Sequence, residues 1–215
     1  RSEMCIRDRV QLFFISATLE ISRKVNLAQL LGFQAYQFYH LPAKNYHQQR
    51  IWVDKDFPDL VDLPLSQHAR LIAERIESLS SLNLPILVLF TSKELLLEVS
   101  ENLSLQHLAQ YKNGDASNIK RRFDRGEAPI LLGTGSFWEG TDFSSQDKMI
   151  QIITRLPFDN PQNVFTQKMN RRLRLEGKNP FYDYGLPVAI LRLKQALGRT
   201  VRHRKQQSAV LILDN

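Results

Sequence analysis

Gln195, Arg199 and Arg202 stand at i, i+4 and i+7 of the stretch 195–204 (QALGRTVRHR). Read as a helix of about 3.6 residues per turn, this spacing gathers one amide and two guanidiniums on one edge. Ile190, Leu193, Leu197 and Val201 then form the opposite, apolar stripe, suited to packing on a sheet. A guanidinium is planar and permanently charged, and its fork of donors matches the oxygens of a phosphate. Arginines on a helix face are also commonly plain solvated surface, so the chemistry depends on what else the chain supplies.

A phosphate loop is the obvious complement, and Gly135 and Gly140 have its G-x-x-x-x-G spacing. Thr141-Asp142 stands where Lys-Ser/Thr is required, and an aspartate there repels a triphosphate. No other stretch supplies the lysine loop. The turn carries instead two carboxylates, Glu139 and Asp142, which could take a magnesium ion, work as an acid pair, or orient arginines. The last fits best, because a parallel sheet brings its strand ends to one edge and the arginine stretch follows one strand later. Phe137 and Trp138 in the same turn read as core packing ahead of base stacking. Thr91-Ser92-Lys93, at the end of an apolar run, is either an anion site at a helix N-terminus or a simple cap by Ser92. Ser16 and Thr18 follow another apolar run, where small hydroxyls often only bond backbone.

The elements that must position these residues alternate strand and helix. Apolar runs at 10–15 (VQLFFI), 85–90 (PILVLF), 129–132 (PILL), 148–154 (KMIQIIT) and 208–213 (SAVLIL) read as buried strands, with shorter ones at 50–53 and 106–110. Helices are expected over 66–82 (Leu71, Ile72, Ile76 and Leu79 inward), 94–103, 113–126 (Ile119 and Phe123 inward) and 163–175. A short helix capped by Ser22 is expected through Leu31, and Pro187 opens the arginine helix. The alternation from Ser66 onward predicts an α/β fold, a parallel sheet with helices on both faces. Residues 1–9 (RSEMCIRDR) lack periodicity and are read as a non-native leader, and 32–65, punctuated by Pro42, Pro58 and Pro64, as a connector.

Charge is asymmetric. Between Phe165 and Lys205 eleven Lys and Arg face only Glu176 and Asp183, a local +9 in a chain of net charge +7. A basic final third on a near-neutral body suggests a polyanion, nucleic acid or nucleotide, with an acidic protein surface as the alternative. The single Cys5 excludes an internal disulfide framework, and no Cys/His group has metal-ligand spacing. No apolar run approaches the roughly 20 residues of a membrane span, so no membrane partner is expected, and a reducing cytoplasm fits best.

Taken together, Ser16-Ala17-Thr18-Leu19, Leu89-Phe90-Thr91-Ser92, 135–142 (GSFWEGTD), Arg155-Leu156-Pro157-Phe158 and 195–202 (QALGRTVR) resemble, in order, motifs III to VI of superfamily 2 helicases, in the form of the DinG/XPD branch. The resemblance implies two RecA-like domains closing over ATP while single-stranded DNA crosses them. Residues 10–31 would then be the tail of the first domain, and 66–215 most of the second. Arg199 and Arg202 match the finger positions that reach the γ-phosphate of ATP held by the first domain, and Gln195 matches a sensor of the same phosphates. Glu139, Gly140 and Asp142 match the motif coupling nucleotide to DNA, and Ser16 and Thr18 the coupling motif of the first domain. Thr91, Ser92, Lys93 and Ser136 match positions facing the DNA backbone.

Without a lysine loop or an acidic box, ATP and Mg²⁺ are expected to be held mainly by the first domain. The four cysteines of the iron–sulfur cluster found in some members are absent from this chain, which leaves the parent's cluster open. The expected function is the motor half of a 5′-to-3′ DNA helicase, monomeric, inactive alone, with single-stranded DNA and the first helicase domain as partners. A catalytically idle RecA-like binding module is the competing expectation, and RNA the competing substrate.

Overall fold

The computed structural model describes residues 20–22, 25–26, 33, 37, 39, 48–58, 63–201 and 203–214. The chain divides into two compact units, Arg1–Ala43 and Lys44–Asn215. In the first, β1 (Glu20–Ser22) pairs antiparallel with β2 (Val25–Asn26). The helix expected from Ser22 is therefore corrected. Ile21 and Val25 are β-branched, which favours strand over a helical start. The leader 1–9, the strand 10–15, Ser16 and Thr18 lie outside the described residues.

The second unit is built on six parallel strands: β3 (Gln49–Val53), β4 (Ile86–Leu89), β5 (His107–Ala109), β6 (Ile130–Gly133), β7 (Lys148–Ile153) and β8 (Gln207–Ile212), in the order β3-β8-β7-β4-β6-β5. Part of the expected connector thus belongs to the sheet. β3 pairs along its length with the last strand, Gln49 opposite Ser208 and Val53 opposite Ile212.

Period-two alternation along the buried strands feeds two cores. On one face Ile86, Val88, Ile130, Leu132, Ile150 and Ile152 pack against α1 (Leu65–Ser80) and α2 (Lys93–Asn102) through Ile72, Ile76, Leu96 and Val99. On the other, Leu87, Leu89, Leu131, Met149 and Ile153 pack against α3 (Ala116–Asp124) and α5 (Leu186–Leu197) through Ile119, Phe123 and Ala196. Helix α4 (Val164–Leu175), capped by Asn163, is the basic helix the sequence predicts. A π-helical turn, Phe181–Gly185, leads from it towards α5. Among the described residues no helix is long and apolar enough to cross a membrane.

One buried group carries a pH dependence. His68 of α1 is 5 % exposed, and its Nε2 has no hydrogen-bond partner among the described residues. Burial first, then the nearby Arg155 guanidinium, push its imidazole down to about 4. The unfolded chain therefore binds the extra proton between about pH 6.5 and 4, so stability present above that window is lost as pH falls through it. The expected loss is about 3 kcal/mol, at 1.36 kcal/mol per unit. Urea unfolding at pH 7 and pH 4.5 should show a smaller pH dependence in His68→Leu than in the parent chain. Equal slopes would remove His68 as the cause.

Candidate functional site

The turn after β6 is shaped by a close approach. A Cβ on Gly133 would lie 2.3 Å from Cδ2 of Phe137, so glycine is needed for the aromatic to fold back onto its own strand. Phe137 and Phe143 stack at 6.3 Å, and Trp138, 5 % exposed, donates its indole N–H to the Phe90 carbonyl at 2.7 Å. Both aromatics of the turn are core residues, as the packing reading has it. They pin the loop to the end of β4, leaving Ser136, Glu139 and Gly140 exposed and Gly140 at φ +92. Thr141 closes the loop by donating to the Ser136 carbonyl at 2.9 Å.

The two carboxylates of this loop have separate partners. Asp142 accepts from the backbone N–H of Ser144 at 3.0 Å and faces its hydroxyl at 3.2 Å, an Asx-type turn. Glu139 lies 3.8 Å from Nε of Arg192 on α5. Arg192 also donates to Asp159 at 2.5 Å and to the Pro157 carbonyl at 3.3 Å. The arginine near this carboxylate stands three residues ahead of Gln195, and sequence reasoning passed over it. Its partners lie on distant loops, so no local spacing marks it. Among the described residues no three His, Cys, Asp or Glu side chains gather in a way that could hold a metal. Burial first, then the Asp159 carboxylate, push the neighbouring Tyr184 phenol up. A cavity of about 420 Å³ opens here, lined among others by Thr91, Gly135, Glu139, Phe158 and Arg192.

Thr91 and Ser136 follow the C-terminal ends of the adjacent strands β4 and β6. Ser92 caps α2, its hydroxyl oxygen accepting from Leu95 N–H at 3.2 Å while it donates to Glu94 at 2.8 Å, so the capping role holds for this residue. Lys93 is exposed, with Nζ 4.8 Å from the ring centroid of Tyr111. The Tyr111 hydroxyl lies 2.8 Å from Oγ1 of buried Thr134. Thr91, Lys93 and Ser136 thus lie past the ends of β4 and β6, with Tyr111 beside Lys93 as a neighbour the sequence did not single out.

The arginine stretch departs from a continuous helix. α5 ends at Leu197 with Gly198 as its cap, and Arg199 sits in the following turn, its N–H donating to the Ala196 carbonyl at 3.1 Å. Of the described candidates Gln195 is on the helix and Arg199 is beyond it, so the i, i+4 pair does not share one helical edge. Arg202 lies outside the described residues. A buried polar cluster adds side-chain donors to the last carbonyls of the helix. Gln151 Nε2 donates to the Ala196 carbonyl at 3.2 Å, and Gln49 Nε2 to the Leu197 carbonyl at 2.9 Å and to Thr200 Oγ1 at 3.1 Å. Thr200 Oγ1 lies 2.8 Å from Ser208 Oγ. Gln206 Nε2 donates to the Phe143 carbonyl at 3.0 Å, which ties the 134–147 loop to the segment after α5. That loop therefore touches α5 through Glu139 near one end and reaches the segment beyond α5 at the other.

The helicase C-terminal domain family matches residues 76–215. The chain is 32 % identical over 182 residues to the 3′-5′ exonuclease DinG of Bacillus subtilis (strain 168), covering 80 % of this chain and 20 % of that protein. It is 28 % identical over 216 residues to the ATP-dependent DNA helicase YoaA of Haemophilus influenzae, covering 94 % of this chain and 32 % of that protein. The chain thus spans about a fifth to a third of the length of these relatives. A solved XPD helicase has the same fold, with a TM-score of 0.62 at 18 % identity over 76 % of this chain and 31 % of that one. Motif order, six-stranded sheet and family match agree, and the chain belongs to the helicase C-terminal domain family, in its DinG/XPD form.

Proposed function

We propose that this chain acts as the second motor domain of an ATP-dependent DNA helicase that moves 5′ to 3′ on single-stranded DNA. Arg199 and Arg202 meet the γ-phosphate of ATP held with Mg²⁺ by a first RecA-like domain, and Gln195 senses the same phosphates. Thr91, Lys93 and Ser136, with Ser92 shaping their turn, face the DNA backbone. Ser16 and Thr18 couple the first domain. The protein works in the cytoplasm as a monomer. The observation that carries this reading is the path of one loop, which runs from the strand-end edge, where Glu139 meets Arg192, to the segment after α5, where Gln206 holds Phe143. A change of charge at the arginine turn can thereby move the strand-end edge without passing through solvent.

The test is reconstitution. Alone, the chain should show negligible ATP hydrolysis. Mixed with a first helicase domain carrying a G-x-x-x-x-G-K-[ST] loop, it should restore hydrolysis stimulated by single-stranded DNA. If the first domain hydrolyses ATP at the same rate with and without the chain, the motor reading fails, and the idle binding module takes its place.

A further inference from the structure

Beside the cavity described above, which Phe158 also lines, lies an exposed aromatic surface. Phe158 and Phe181 stack at 5.7 Å with an interplanar angle of 24°, and Tyr182 sets its ring edge-on to Phe181 at 5.2 Å. These rings are 39 %, 49 % and 67 % exposed, an aromatic patch that a folded protein does not leave in water without cause. Phe158 precedes α4 and Phe181 follows it, so the stack joins the two feet of the basic helix. The patch is held rigidly. Asn179 accepts from Phe181 N–H at 2.9 Å and Asp183 accepts from Asn179 N–H at 2.7 Å, while Asp159, next to Phe158, is fixed by Arg192.

From this geometry we propose that Phe158, Phe181 and Tyr182 form a stacking platform for an unpaired base of single-stranded nucleic acid. The charge of the intervening helix selects this occupant. Lys168, Arg171 and Arg174 are exposed and make no ion pair among the described residues, whereas Arg172 and Lys178 share Glu176. Exposed cations on the helix that the stack flanks, together with partly exposed rings, fit a strand that offers phosphates and π-faces together, and a duplex keeps its π-faces stacked inside. Because the rings are preorganised, little ordering opposes binding. The inference rests on the nucleic-acid part of the proposed function and adds the contact that recognises the bases.

Fluorescence anisotropy with a short oligothymidylate and an abasic strand of equal length tests it. The chain should prefer the base-bearing strand by roughly 5- to 150-fold, the range for one base–aromatic contact. Tyr182→Ala, at a position two-thirds exposed, should weaken oligothymidylate binding at least about 5-fold, leave abasic binding unchanged and keep the melting temperature. Tyr182→Phe should restore the preference. Equal affinity for the two strands, or an equal loss on both in Tyr182→Ala, would overturn the platform. So would a Tyr182→Ala variant that binds both strands normally but no longer associates with a first helicase domain, which would make the patch a domain interface. Failure of the parent chain to bind either strand would sink the DNA-contacting part of the proposed function as well. Failed ATPase reconstitution with the base preference intact would count against the motor reading alone.

Discussion

Arg199→Ala should lower DNA-stimulated ATP turnover by about 10³- to 10⁵-fold in the reconstituted two-domain motor, the scale of an arginine that neutralises charge growing on a transferred phosphoryl group. The loss should fall mainly on kcat, because that charge develops in the transition state. Arg199→Lys should recover only part of it, since an ammonium lacks the planar fork. The fold should survive either change, because Arg199 is partly exposed and lies in the turn after α5. The decisive comparison is turnover against melting temperature. Variants that lose both together would make Arg199 a structural residue, and turnover unchanged in Arg199→Ala would move the finger role elsewhere.

The largest expected stability effect lies in the loop rather than the strands. Trp138→Ala should destabilise the domain by about 3–5 kcal/mol, the range for removing a large buried aromatic. For a domain of this size that is a fall of roughly 6–20 °C in melting temperature. Trp138→Phe retains most of the volume but leaves the Phe90 carbonyl without its indole donor, so about 1–3 kcal/mol is expected to remain lost. Calorimetry on the three proteins checks the order. A Trp138→Ala domain as stable as the parent would show that the loop is not anchored through this residue.

These two residues also show what could be read from sequence. The apolar runs of β4, β6 and β7 and the inward Ile119 and Phe123 of α3 announce themselves by composition and period, because burial on both sheet faces demands them. The end of α5 did not. Its last carbonyls take donors from Gln49 and Gln151, remote in sequence from Ala196 and Leu197, and no local signal beyond Gly198 marks the end. A clue existed in KMIQII, where one glutamine interrupts a strand buried from Met149 to Ile153 and must find partners inside. Arg192 escaped for the same reason. Its role depends on Glu139 and Asp159, which only the fold brings to it. Local chemistry was legible and pairwise chemistry across the sheet was not.

The pairing of β3 with β8 has a temporal meaning. The strand that opens the sheet bonds in register to the strand that closes it, and β7 flanks β8 on its other side. A ribosome releasing this chain presents β3 long before its neighbour exists, so the early strand must wait for its pairing partner. Contacts this distant in sequence slow folding and prolong exposure to aggregation. The arginine turn is emitted just ahead of β8 and acquires its buried hydroxyl partner, Ser208, only when that last strand docks. The turn after α5 therefore completes its buried contacts only once β8 has been made.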